Sequence, residues 1–231
     1  MGRIVSLLSA TVILLLLLHS PSAAGEIRSD VLTDPAGIRF HDVADGVIIE
    51  AIGCRGTNWL GFPALPYRVV SVLLPQGAEV SGCRAVVNGS VEIDDAFPAT
   101  LSRGDFLEDG TARGLAATAG EVVSADGVFP RWRIRHLGTS WRKGFRVAEF
   151  AVYPFRFDME SSRLVLEHDL TIVVETVPAT PATDRLERVR HVDGFREKAR
   201  REIASLVVNP GQASGYVFDD IAVDDGTRGF P

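Results

Sequence analysis

The chain has 231 residues, 46% hydrophobic and 23% charged, with a formal net charge of −6 at pH 7. An acidic balance with no concentrated basic face excludes a nucleic-acid partner. Beyond the N-terminus no apolar run reaches the ~20 residues of a membrane span, so no membrane contact is expected beyond export.

The chain opens with Arg3, a nearly unbroken apolar run from Ile4 to Leu18, then His19, Ser20, Pro21 and the small residues Ser22, Ala23 and Ala24. This is the layout of a secretory signal peptide over residues 1–24. Ser22 and Ala24 fit the −3 and −1 positions, which puts cleavage before Gly25. The remaining chain is expected in a secreted, periplasmic or cell-surface location. It is long enough to bury a substantial core. Two cysteines, Cys54 and Cys83, remain. In an oxidising compartment they are a disulfide candidate, with two unlinked thiols as the alternative.

Strand signals begin at Gly37–Val43 and Gly46–Ile52, joined by the hairpin turn Ala44-Asp45. Tyr67–Leu74 is almost wholly apolar, which suits a strand covered on both faces. Pro66 and Pro75 bracket it, as proline should. Glu79–Val91 carries another segment, and its Asn88-Gly89-Ser90 fits a glycosylation acceptor. Residues 94–128 are polar and punctuated by glycine, and read as a long surface excursion or a functional loop.

Regular signals resume at Trp132. Phe145–Tyr153 alternates Arg146, Ala148, Phe150 and Val152 against Val147, Glu149 and Ala151. Arg163–Leu166 precedes Asp169–Thr176, where Leu170, Ile172 and Val174 share one face. Such alternation predicts half-buried antiparallel strands. Asp158–Ser162 is the turn between two of them. The fold class is therefore all-β: an antiparallel β-sandwich over 25–177.

From Pro178 the character changes. Pro178 to Thr183 forms a stiff linker. A helix follows, with Asp193 as a cap and Val192, Phe195, Ala199, Ile203 and Leu206 along one face. Asn209-Pro210-Gly211 ends it, so linker and helix span 178–210. Residues 211–231 read as an acidic tail or the start of a further domain. Its Asp219-Asp220 and Asp224-Asp225 lack EF-hand spacing. Backbone too polar to pack is where proteases cut, which makes Arg190 and Arg228 processing candidates.

No catalytic constellation is present in the sequence. There is no Gly-x-Ser-x-Gly elbow, no His-Glu-x-x-His helix and no phosphate-cradling loop. His41, His136, His168 and His191 lie in no nucleophile motif, and no zinc spacing occurs. The expectation is a chain that is not an enzyme and carries no metal and no cofactor.

Three ordered segments carry a resemblance. Gly61-Phe62-Pro63-Ala64-Leu65-Pro66 leads into Val69–Leu74 and then Pro75-Gln76-Gly77-Ala78-Glu79-Val80. Gly144-Phe145-Arg146 opens a segment closing on Val152-Tyr153-Pro154. Arg163–Leu166 continues into Ile172–Glu175. In this order and spacing, over roughly 45–210, they resemble the propeptide of the gingipain family of cysteine peptidases. The turn Phe157–Ser162 departs from the Asn-Pro and Gly frequent in that family. The resemblance implies a β-sandwich pro-region that assists folding of a cysteine peptidase, in cis or in trans, and blocks its cleft until proteolytic removal. It implies that neither Cys54 nor Cys83 is a nucleophile. It also implies that an arginine enters the specificity pocket, for which Arg103 and Arg113 are the candidates. The alternative is a secreted β-sandwich binding or adhesion module, because loops rather than the fold set function.

Overall fold

The structure is a computed structural model that describes residues 25–94, 97–102, 105–106, 112–113, 117–179 and 193–218. Thirteen strands are described: β1 (Gly25–Leu32), β2 (Ile38–Val43), β3 (Gly46–Ala51), β4 (Arg55–Gly56), β5 (Pro66–Leu73), β6 (Ala78–Asp94), β7 (Asp105–Phe106), β8 (Ala112–Arg113), β9 (Val128–Phe129), β10 (Ile134–Arg142), β11 (Phe145–Val152), β12 (Phe155–Asp158) and β13 (Leu164–Pro178). Helix α1 spans Ala119–Val122 and α2 spans Asp193–Leu206, and a 3-10 turn covers Pro210–Gly215.

Two antiparallel sheets face each other. In one, β13 is central, with β6 along one edge and β1, then β12 and β9, on the other. The second has the order β10-β11-β5-β4. Alternation places Val70, Val72, Ala148, Phe150 and Val152 of the second sheet against Val31, Leu170, Ile172 and Val174 of the first. This is the expected sandwich. Its period-2 side chains meet across the interior. A second cluster closes one end, where Trp59 packs among Phe129, Trp132 and Tyr153.

Three features differ from the sequence reading. The two predicted runs, Arg163–Leu166 and Asp169–Thr176, join in one strand, β13, which starts at Leu164. It passes the polar Glu167-His168-Asp169 through register shifts against β6. Glu167 tolerates burial there because Arg133 grips both its oxygens, with Nε at 3.1 and 2.9 Å and Nη2 at 2.8 Å. Second, β11 is buried on both faces rather than half-buried. Third, the 94–128 stretch is no simple excursion in its described parts: Phe97 and Val122 are core residues. Thr100 donates its N–H to Val47 O, and Val47 donates to Pro98 O, which ties this stretch to the β2–β3 hairpin. Gly46 is required there. Its φ is +134°, and a Cβ would sit 2.4 Å from Pro98 O.

Candidate functional site

At Phe145 and Val147 the second burial of β11 comes from the C-terminal residues. Helix α2 lays Ala199 and Ile203, followed by Val207, over Leu73, Phe145 and Val147 on the outer face of β5–β11. The apolar stripe is narrower than the sequence suggested: Phe195 and Leu206 are exposed. The docked segment does not stop at Asn209. It continues through Ala213 and Tyr216 to Phe218, with the rings of Tyr216 and Phe218 at 4.8 and 5.2 Å from Phe145.

Polar groups fix the register of this strap. Strand β4 is only two residues long, so among the described residues no strand pairs with the far half of the β5 edge. Val208 donates its N–H to Ser71 O at 2.9 Å. The Asn209 side-chain amide then pairs with Leu73, accepting from its N–H and donating to its carbonyl, both at 2.8 Å. An exposed β-edge is thereby covered. The Gln76 amide forms the mirror arrangement with Val217, each bond 2.9 Å. The Tyr216 hydroxyl donates to Leu74 O at 2.8 Å and accepts from Arg146 N at 3.1 Å. It bridges the point where the β5–β11 ladder ends.

The β10–β11 turn completes the surface. Lys143 and Gly144 both have positive φ, 52° and 81°. This fits a two-residue hairpin turn that follows strand twist. Lys143 Nζ bonds Glu202 Oε2 on α2, and this pair holds the Glu202 carboxyl below its usual range. Phe218 lies over Gly144, where a Cβ would be 3.0 Å from its Cε1. Two of the segments that carry the sequence resemblance, Leu74–Gly77 and Gly144–Arg146, therefore meet the strap.

The predicted site residues are dispersed. Arg113 is on β8, opposite Asp105 in the short β7–β8 hairpin. Arg103, Arg190 and Arg228 lie outside the described residues. Cys54 and Cys83 are free thiols rather than a disulfide: Cys54 follows β3 beside Arg68, while Cys83 pairs with Val174 within the first sheet. Burial pushes both thiols up, against the opposing charge of Arg68 at Cys54 and a backbone hydrogen bond from His136 at Cys83. A raised thiol is the reverse of an activated nucleophile. His41 contacts Glu50, and His136 contacts Thr139 and lies tilted against the Phe150 ring. Among the described residues no group of three His, Cys, Asp or Glu side chains converges as a metal site, and no helix is long and apolar enough to cross a membrane.

Sequence reasoning missed the role of Tyr216 and Phe218, which sit in a stretch dominated by glycine and acid. The only signal was two aromatics two residues apart in an otherwise polar segment.

No family model matches the chain, and no curated protein matches it by sequence. Solved structures do. The complex of Porphyromonas gingivalis RgpB pro- and mature domains contains a chain that superposes with a TM-score of 0.55 at 13% identity, covering 84% of this chain and 95% of that one. A structure of gingipain K from the same organism, concerned with zymogenic latency, gives a TM-score of 0.42 at 15% identity, with 69% and 95% covered. The first of these matches gives the chain the gingipain-propeptide type of fold.

Proposed function

We propose that this chain is an exported pro-region that assists the folding of a cysteine peptidase and keeps it latent until proteolysis. The observation that carries the reading is the shared fold, over most of both chains, with a structure of pro- and mature domains. The ordered motif segments support it by falling at structurally defined positions in that fold. Physical logic supports it too. A tethered module acts at high effective concentration, so modest contacts suffice for latency and cutting the tether removes the advantage.

In this reading residues 1–24 direct export. The segment around the β7–β8 hairpin presents Arg103 or Arg113 to the peptidase cleft as a substrate-like side chain. Arg190 and Arg228 are the processing sites, and the cut at Arg228 is the one that releases the peptidase. The partner is a gingipain-type cysteine peptidase domain, in cis or in trans, and catalysis belongs to that domain. The raised thiols of Cys54 and Cys83 fit a chain without nucleophilic chemistry of its own.

Refolding tests the chaperone half. A denatured gingipain-type catalytic domain should recover severalfold more activity, after removal of the inhibitor, when diluted with the chain than without it. Equal recovery with a folded chain present at excess would remove that half of the reading.

A further inference from the structure

The strap is a docked ligand of the sandwich more than an extension of its sheets. Its contribution is side-chain contact: Ala199, Ile203, Val207, Ala213 and Tyr216 are buried against Leu73, Phe145 and Val147. Its polar bonds are mostly made by side chains, at Asn209–Leu73, Gln76–Val217, the Tyr216 hydroxyl and Lys143–Glu202, with one backbone bond from Val208 N–H to Ser71 O. Covalently, only residues 179–192 join it to the end of β13. Arg200 adds a bond from Nη2 to Tyr216 O at 3.0 Å and lies 5.9 Å from the Phe218 ring centroid, so the strap also stabilises its own shape.

We infer that the outer face of β5–β11 is a docking surface for the chain's own residues 193–218, and that this docking keeps everything after Phe218 bound to the sandwich when residues 180–192 are cut. A cut at Arg190 is then silent. It turns a tethered contact into a bimolecular one but leaves the interface whole. Separation requires a cut beyond Phe218, such as at Arg228, or loss of the strap contacts themselves. The strap's buried apolar centre, surrounded by polar bonds, has the anatomy of a stable interface. This inference rests on the contacts of the strap alone and holds with or without a peptidase partner.

The test uses the full chain with a specific protease recognition sequence substituted within 181–190. After complete cutting, the two pieces should elute together from size exclusion at about 1 µM. Separation of the unmutated pieces at that concentration overturns the inference. Asn209→Ala, which keeps every apolar contact, should raise the dissociation constant about tenfold. Ile203→Asp should abolish co-elution. Where Ile203→Asp yields no folded chain, exchange of a labelled 193–218 peptide into the cut complex, blocked by excess unlabelled peptide, reads the same contact. Co-elution unchanged by both substitutions would show that another surface holds the pieces and would also overturn the inference.

Discussion

Replacing Tyr216 by Phe isolates one oxygen atom. Tyr216 is 1% exposed, and its hydroxyl satisfies two backbone groups, the Leu74 carbonyl and the Arg146 N–H. The ring remains, so its contacts with Phe145 and Phe218 persist and no large cavity opens. The loss is therefore polar. Two buried backbone groups are left without partners at about 1–3 kcal/mol each, offset in part by local closure of the ladder. The expected destabilisation is about 2–4 kcal/mol in urea unfolding, or a fall in Tm of about 5–15 °C for a chain of this size. Hydrogen exchange at the Arg146 amide should accelerate in parallel. A change below about 0.5 kcal/mol with unaltered exchange would show that the hydroxyl does not hold the ladder end.

Three further outcomes follow from the same geometry. Gly144→Ala should cost about 1–3 kcal/mol, because φ is +81° and the new Cβ meets Phe218; adding Phe218→Ala should recover the steric part in a double-mutant cycle measured by urea unfolding. Glu167→Gln should cost about 1–3 kcal/mol by the same assay. It unpairs Arg133 and removes the carboxylate whose charge favours the ionised form of the buried Arg156, and the half-exposed Arg133 limits the effect. Asp158 accepts from Glu160 N and Ser161 N in the β12–β13 turn, and hydrogen bonds from Ser161 and Glu160 hold its carboxyl below 3.8. A depressed folded value stabilises above the unfolded value near 3.8 and loses that contribution as pH falls through the folded one. Asp158→Asn should accordingly flatten the acid limb of Tm against pH below about pH 4 and leave the neutral region's slope unchanged.

Much of the fold is legible in the sequence where one rule acts alone. The β2–β3 hairpin follows from two short runs around Ala44-Asp45. Strand β5 follows from its apolar run between prolines, and the Asp158–Ser162 turn from its polar interruption. Reading fails where burial depends on a distant partner. Glu167-His168-Asp169 looks like a break because polarity is visible in sequence and Arg133, 34 positions away, is not. Strand β11 looks half-buried because the strap that covers Phe145 and Val147 arrives from the far end of the chain. Tyr216 looks like tail because its burial depends on Leu74 and Arg146. The candidate arginines were legible only through resemblance, since an inhibitory side chain has no local signature in composition or periodicity.

Latency is measured most directly by titration. Increasing amounts of the folded chain, from Gly25 onward, are added to a fixed amount of a gingipain-type cysteine peptidase domain from the same source, and peptide hydrolysis is followed. The pro-region reading predicts saturable inhibition that approaches one chain per peptidase, weakens when the inserting arginine, Arg103 or Arg113, is replaced by Ala, and disappears when the chain is degraded. Undiminished hydrolysis at high micromolar concentrations of a chain shown to be folded would contradict it.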